Sequence, residues 1–517
     1  MENDIFIIGE GFDRTEKNKD NSWNWAIKQE ACICFPNETD SRIYNINFYL
    51  CPPPGKQNNF VTIYIDEKKV MRIKTPQECN ISFEVCKASC KTIKFETDEE
   101  LTYIETGDKR GFAFQLVDFK CVVEEIYQEK ESLNRLHHIQ KNILRFFIKL
   151  CDENGLIYYM FYGSLLGIVR HDGIIPWDDD IDVVMPRKDL EEFMKIIKKA
   201  GSSQYSIEDI ENGDDCYYGG YVKLVDNMTT KIVLENWNHK CHNAVGIDIF
   251  PLDYIPEDSR KRNHILKEIT KYQELLFAKV YGKNRYNYTR LNKEKWKNVK
   301  VKSLFYSKSM ILNRLKKLII DSNKERSFFV TVLGRYLPKD SRIFYVEDNF
   351  GKGLIFKYDN LDVRVPENYL KCLETLYGSN YMLYPPREAR VPKSWALWDF
   401  DRPFKFYQNK IISTVGLKKK VQYVLWGLSD RMKYLLDNYS MVYDFVYIVV
   451  ADEKLSGKML FGLMMISENI FQRLYTKGWH ILLCSDSISK DVDKMERMNI
   501  DYYSIFVDDA EKVMCLV

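Results

Sequence analysis

Between Gly163 and Pro186 the chain reads GSLLGIVRHDGIIPWDDDIDVVMP, and few folds can be built around such a run. It follows an apolar stretch, Leu156–Tyr162 (LIYYMFY), with the length of a buried strand. Gly163-Ser164 interrupts that stretch, and Leu165–Val169 predicts a short helix. A glycine and a serine at such a junction let the backbone approach a ligand closely. The first amides of the helix are unpaired donors suited to an anion such as phosphate. After the turn Arg170-His171-Asp172-Gly173 and the pair Pro176-Trp177 come Asp178, Asp179, Asp180 and Asp182. The run ends in Ile181, Val183 and Val184, which predicts a strand with Asp180 and Asp182 on one face and Ile181 and Val183 in the core. Two neighbouring carboxylates repel unless positive charge lies between them. Mg2+ suits them, because it takes one or two carboxylates together with substrate phosphates. The spacing excludes an EF-hand calcium loop, which needs alternating acids, a glycine and a distant glutamate. A solvated acidic loop does not explain why the acids run into Ile-Asp-Val-Val.

A second stretch, Gly246–Asp253 (GIDIFPLD), predicts a strand with Asp248 between two isoleucines. A buried acid in that setting is costly unless it is paired or binds a metal. Asp253 reads as a cap on the turn that follows. Tyr221–Asp226 (YVKLVD) predicts another strand, carrying Lys223.

Gly163-Ser164 at a helix start, followed by Asp180-x-Asp182, resembles the nucleotidyltransferase superfamily. The nearly continuous set Gly163–Gly167, Arg170–Gly173 and Ile175–Asp182 resembles the LicD family, which includes bacterial phosphocholine transferases, fukutin and fukutin-related protein. Val363–Pro366, Tyr377–Met382 and Pro385–Arg390 extend the resemblance to about residues 130–407, with a loose match over Val391–Phe404. It implies an α+β nucleotidyltransferase-like catalytic domain over 130–410. It also implies Asp180, Asp182 and Asp248 as catalytic and metal-holding residues, with Mg2+, or Mn2+ in its place. Gly163, Ser164, Arg170, Lys223, Arg387 and Arg390 are then the groups that hold the donor's phosphates. The reaction so implied moves a phospho-alcohol, phosphocholine or a phospho-polyol, from a CDP-linked donor to a hydroxyl of a cell-surface or lipid-linked glycan, releasing CMP. Two other readings stand beside it. One is a nucleotidyltransferase moving NMP from an NTP to a sugar phosphate or protein. The other is a non-catalytic glycan-binding scaffold.

The flanks read differently. Residues 1–125 hold short runs rich in β-branched and aromatic residues, at Tyr44–Leu50, Val61–Ile65, Ile81–Val85, Thr92–Phe95 and Phe112–Phe119, which predicts a β-sandwich. Asp66–Lys69 reads as a hairpin tip. Trp23 and Trp25 are candidates to stack on sugar rings, making this an accessory glycan-binding domain. The competing reading, favoured because tryptophan is mostly buried, makes them core or interface residues. Leu133–Glu153 predicts a helix with an apolar stripe of Ile139, Ile143, Phe146, Phe147 and Leu150, ended by Gly155, and His137 and His138 read as ordinary packing or surface residues. Residues 418–517 alternate strand and helix signals, which predicts a small parallel α/β, Rossmann-like domain in which Gly427 alone stands for a dinucleotide fingerprint.

Arg260–Lys324 carries 19 Lys and Arg against four acids in a helical pattern. Such a segment is either a face for anionic lipid headgroups or a phosphate-bearing acceptor, or a set of solvated helices. No module for reading nucleic acid accompanies it, so nucleic acid is not an expected partner. MENDIFIIGE has neither the basic start nor the apolar core of a secretory signal, and no apolar run approaches the ~20 residues of a membrane span. The expectation is a cytoplasmic protein, with peripheral contact at the inner face of the membrane. The 13 cysteines include no CxxC and predict reduced thiols. His239-x-Cys241-His242 offers three close zinc ligands where a structural site wants four.

Overall fold

In the computed structural model, the described residues are 7–13, 15–17, 21–35, 42–65, 67–85, 91–103, 110–125, 131–209, 221–234, 241–281, 293–333, 343–386, 389–390, 392, 396–475, 478–485 and 488–507. Contacts divide the chain into two compact units. The first comprises Met1–Lys130, Leu166–Gly173 and Tyr369–Val391; the second comprises Glu131–Leu165, Ile174–Asn368 and Pro392–Val517.

Alternating apolar and polar residues in the first unit form two five-stranded antiparallel sheets. One runs in the order Ile7–Ile8, Glu30–Phe35, Lys91–Glu96, Phe60–Ile65, Lys68–Lys74. The other runs Glu16–Lys17, Ser22–Ala26, Phe114–Glu125, Arg42–Cys51, Gln77–Val85. Ile33, Ile63 and Phe95 from the first sheet and Tyr44, Phe48, Leu50 and Phe114 from the second fill one core. Phe48 meets Phe95 edge-on at 5.6 Å. Met382 and Leu383, far along the chain, pack against this core as well. Phe60–Ile65 and Lys68–Lys74 pair as the expected hairpin, with Glu67 at φ 67° in its turn. Trp23 and Trp25 are half-buried, on the face of their strand opposite buried Asn24 and Ala26. The pair therefore does not lie in the core, as one half of the favoured reading expected. Trp25 packs edge-on against Phe112 at 4.9 Å, and the Trp23 indole N–H donates to Glu16 at 3.1 Å.

The second unit contains a seven-stranded sheet. Its main path is Tyr159–Met160, Asp182–Pro186, Val245–Ile255, Val222–Asp226, Tyr205–Glu208, and the far half of Val245–Ile255 also pairs with Phe329–Thr331. Asp182–Pro186 runs parallel to Val245–Ile255. The helix Glu131–Asn154 packs against this sheet and ends at Gly155, whose φ of 64° favours glycine. Its buried face differs from the expected stripe: Leu133, Leu136, Ile143, Leu144 and Phe147 are buried together with His137 and Gln140, while Ile139, Phe146 and Leu150 are partly exposed. Two polar residues belong on that face because the tract beyond offers them hydrogen-bond acceptors, described below.

The C-terminal part of the second unit is a sheet in the order Ile411–Ile412, Tyr503–Phe506, Trp479–Leu483, Gln422–Trp426, Asp444–Val450, Leu463–Ser467, Met459–Leu460. The five strands from Tyr503–Phe506 to Leu463–Ser467 are parallel to one another. Leu463–Ser467 (LMMIS) was not expected as a strand, because it has little of the β-branched and aromatic content that marks one. Ile232, Leu234 and Leu397, from the paired strands Thr230–Val233 and Ala396–Asp399 and the residue after the first, bury with Val424, Ile466 and Ile481 in one core. The α/β part is therefore completed by side chains from far outside residues 418–517. Ile232→Ala is expected to destabilise the second unit by about 2–5 kcal/mol in urea denaturation followed by circular dichroism. Removal of residues 418–517 should leave a remainder that fails to melt cooperatively.

Candidate active site

Strand register builds the site. Asp182 stands opposite Asp248, Asp248 opposite Lys223, and Lys223 opposite Glu208. In-register neighbours share a face, so four strands present the row Asp–Asp–Lys–Glu. Lys223 Nζ lies 3.0 Å from Asp248 Oδ1, which supplies the pairing that an acid between two isoleucines requires. Burial pushes the Asp248 carboxyl up, Lys223 opposes that rise, and the Asp180 charge adds to it. Burial disfavours the Lys223 ammonium, yet Asp248, Tyr221 and Glu208 outweigh it and hold the lysine protonated.

Asp180 and Asp182 do not share a strand as expected, because the strand begins at Asp182. Residues 178–181 approach it as an extended segment fixed mostly by side chains. His137 Nε2 donates to the Asp178 carbonyl at 2.7 Å, so that nitrogen carries the proton. Gln140 Nε2 donates to the Asp179 carbonyl at 3.0 Å. Lys231 Nζ lies 3.1 Å from both the Asp179 carbonyl and its carboxylate, and Asp179 has 0% exposure. The Ile181 carbonyl accepts from the Asp248 amide at 2.8 Å, the one backbone link in this segment to the neighbouring strand. Sequence reading missed Lys231 and Gln140 and assigned His137 to ordinary packing. Their polarity at buried positions was the available signal, but only the fold aims them at the acidic tract.

Asp180 Oδ1 is buried and receives no hydrogen bond. It also lies close enough to Asp248 to raise that group's pKa. Among the described residues no three His, Cys, Asp or Glu side chains form a ready metal cluster. An orphaned carboxylate oxygen beside a second acid nevertheless fits Mg2+, which uses few protein ligands and completes its shell with water and substrate oxygen.

Gly163 and Ser164 lie in the helix Tyr162–His171. A Cβ at Gly163 would sit 2.7 Å from Asp178 Oδ2, so only glycine lets the tract pass this close. Ser164 Oγ accepts from the Asp182 amide at 2.8 Å, and its side chain hydrogen-bonds that of Tyr358, which is fully buried. Serine thus ties the helix to the start of the Asp182 strand. The preceding Tyr162 has φ 45°, a left-handed conformation that costs a tyrosine about 1–3 kcal/mol. Its ring packs edge-on against Phe161 at 5.1 Å and Phe250 at 5.2 Å, which holds it there. Asp253 does not cap a turn: Arg187 grips it through two bonds of 2.7 and 2.8 Å, and Asn323 adds a third at 2.8 Å.

The remaining predicted residues are placed as follows. Arg170 groups with the first unit, where its Nη1 donates to the carbonyls of Tyr381 (3.1 Å) and Leu383 (2.9 Å). Its guanidinium lies over the Tyr384 ring at 5.2 Å. Arg390 is buried in the same unit, donates to the Pro385 carbonyl at 2.9 Å and also faces Tyr384, at 5.5 Å. Arg387 and His239 lie outside the described residues. Cys241 is disulfide-bonded, contrary to the expectation of reduced thiols, which removes its thiolate from a zinc set. A separate cavity of about 800 Å³ is lined by residues including Arg187, Lys198, Tyr221, Leu312 and Ile319, and by none of Asp180, Asp182 or Asp248.

Comparison with known proteins identifies this region. Residues 155–279 match the model of the LicD/FKTN/FKRP nucleotidyltransferase domain. The chain carries a LicD-family domain. The lipopolysaccharide cholinephosphotransferase LicD of Haemophilus influenzae is 26% identical over 265 residues, covering 51% of this chain and 96% of that protein. An uncharacterized protein of Rickettsia typhi is 35% identical over 80 residues, 16% of this chain and 24% of its own length. A solved carbohydrate-binding module of family 35 from Cellvibrio japonicus Abf62 aligns with 23% of this chain and 95% of its own, at 12% identity and a TM-score of 0.15. At that score nothing follows about a ligand.

The LicD domain's acidic tract depends on compensating charge. Lys231→Met should destabilise the protein by about 3–5 kcal/mol in urea denaturation, by leaving the Asp179 charge buried alone. The double variant Asp179→Leu/Lys231→Met should recover much of that loss. Burial lowers the pKa of His137 and keeps it neutral. Its contribution is therefore complete above the unfolded value of about 6.5 and is lost as pH falls below it towards the lowered folded value. Thermal melts between neutral and mildly acidic pH should show a shallower acid limb for His137→Gln, which keeps the donor without the charge.

Proposed function

We propose that the protein is a Mg2+-dependent phosphotransferase of the LicD type, moving a phospho-alcohol group from a CDP-linked donor to a sugar hydroxyl of a glycan and releasing CMP. The observation that carries this reading is the buried, unbonded Asp180 Oδ1 beside the Asp248–Lys223 pair, inside a LicD domain. The alignment with nearly the whole of a lipopolysaccharide cholinephosphotransferase supports the phosphotransfer class and a glycan acceptor.

Phosphoryl transfer asks a protein mainly for positioning and charge neutralisation. Asp180, Asp182 and Asp248 would hold the metal, which supplies charge neutralisation at the donor's phosphates when bound. The acceptor oxygen bonds to the head-group phosphorus, the bridging P–O bond breaks, CMP departs, and the hydroxyl proton passes to a carboxylate. Asp248, paired with Lys223, is proposed for that last role. Lys223 fixes the position of Asp248 and offsets the negative charge gathering around it. Ser164 and Tyr358 brace the strand entrance, while His137, Gln140 and Lys231 fix the tract before it. Gly163 keeps its proposed role as a donor-phosphate contact. The reaction is proposed for the cytoplasmic side, where nucleotide donors are made.

The test is a donor screen with purified protein, Mg2+, CDP-choline, CDP-glycerol, CDP-ribitol and the four NTPs, reading CMP and pyrophosphate. CMP release from one CDP donor is expected. Asp180→Asn and Asp182→Asn should each reduce it by about 10³-fold at an unchanged melting temperature, a loss of the size seen when one stabilising contact to the transition state is removed. Pyrophosphate from an NTP would replace the reading with nucleotidyl transfer. Glycan binding that survives loss of all three acids, with no turnover on any donor, would replace it with a scaffold. Full activity in either single variant would sink the assignment of the acids.

A further inference from the structure

The basic segment of the second unit ends in an apolar tip. The helices Lys293–Ser303 and Lys308–Ser322 are joined by a short turn. At that turn Leu304 is 72% exposed and Phe305 78% exposed, with Val301 at 56% and Met310 at 55% on the adjoining helix ends. The turn is well defined by its own bonds. The amides of Leu304, Phe305 and Tyr306 donate to the carbonyls of Val301, Lys302 and Ser303 at 3.2, 3.1 and 3.3 Å, and Ser307 Oγ accepts from the Met310 amide at 3.1 Å. Both sides of the hairpin are anchored. Trp296 is buried edge-on against Phe277 at 5.9 Å, and Tyr306 turns inward to meet Tyr272 at 6.3 Å. Ordered backbone therefore directs two adjacent large apolar side chains outward while their neighbour Tyr306 goes in.

Charge selects the occupant. Residues 295–317 contain eight Lys and Arg and no acid, with Lys300, Lys302 and Lys308 next to the apolar pair. A second copy docked symmetrically on this tip would set like charges against each other. Nucleic acid would account for the lysines but would leave Leu304 and Phe305 in water. An anionic bilayer answers both features: apolar side chains enter the acyl boundary and lysines meet lipid phosphates. Among the described residues no helix is long and apolar enough to cross a membrane, so such contact would be peripheral.

We propose that the turn Leu304–Ser307 is a membrane-insertion tip, with Leu304 and Phe305 entering an anionic bilayer and Lys300, Lys302 and Lys308 binding its headgroups. This stands independently of the phosphotransfer reading. The experiment is co-sedimentation of the full chain with vesicles of phosphatidylcholine alone or mixed with phosphatidylglycerol, alongside sedimentation analysis of its oligomeric state. Binding is expected only with phosphatidylglycerol and should weaken as salt rises. Leu304→Ser/Phe305→Ser should weaken it by about 10-fold or more, from the apolar area removed, without lowering the melting temperature. Lys300→Glu/Lys302→Glu/Lys308→Glu should weaken it by about 100-fold or more. Three results would overturn the proposal: no binding to either vesicle, binding that the Leu304/Phe305 variant retains in full, or a dimer that this variant dissociates while vesicles do not bind. CMP release by the Leu304/Phe305 variant in vesicle-free buffer reports on the catalytic reading separately.

Discussion

The structure depends on how it tolerates a run of carboxylates in a place with little water. Asp179 is fully buried, and Asp178 and Asp182 nearly so. An unpaired charge in such surroundings would shift its pKa and neutralise, or unfold its segment. The chain supplies compensation residue by residue: Lys231 for Asp179, Lys223 for Asp248, Arg187 for Asp253. Each cation arrives on a different element, so the acids can stay ionised once buried only when those elements have come together. Asp180 is the exception, with one carboxylate oxygen buried and unbonded. That oxygen is where the proposed metal would meet the tract.

The surrounding fold makes this arrangement rigid. The parallel pairing of Asp182–Pro186 with Val245–Ile255 sets Asp182 against Asp248, and the antiparallel pairing with Val222–Asp226 brings Lys223 into the same row. The helix Glu131–Asn154 contributes two polar side chains where another helix would contribute leucines. The strand Thr230–Val233 serves two purposes, sending Lys231 to the acidic tract and Ile232 into the core of the C-terminal sheet. The site and the α/β part are thus coupled through adjacent residues on one strand.

Much of this was legible in the sequence, and what was not has identifiable causes. The acidic tract, the Asp248 strand and the hairpin at Glu67 announce themselves through local pattern, because period-2 alternation and turn chemistry act over a few residues. Gly163 was legible as a point of close approach, although the side chain that approaches is Asp178, a member of the same tract. The supporting cations were not legible. A lysine in TTKIVLE looks like any strand-edge lysine until the fold brings its ammonium to the Asp179 carboxylate, and nothing local announces that Arg170 donates to the carbonyls of Tyr381 and Leu383. Long-range pairing leaves no periodic trace. The buried stripe of the helix Glu131–Asn154 was misjudged for the same reason, since His137 and Gln140 are interior only because of acceptors some forty residues away in sequence.

The placement of Met382 and Leu383 against the core of the β-sandwich has a consequence for how the protein is made. A ribosome delivers the sandwich strands first, yet the side chains that finish covering their core emerge only after the whole central segment has been synthesised. Until then the nascent sandwich keeps part of its apolar surface uncovered while another compact unit collapses downstream. Synthesis of this chain therefore carries a long interval in which an early domain is assembled but not sealed. A translation product that stops before Tyr369 would keep that exposed surface permanently, a form suited to capture by chaperones or to aggregation.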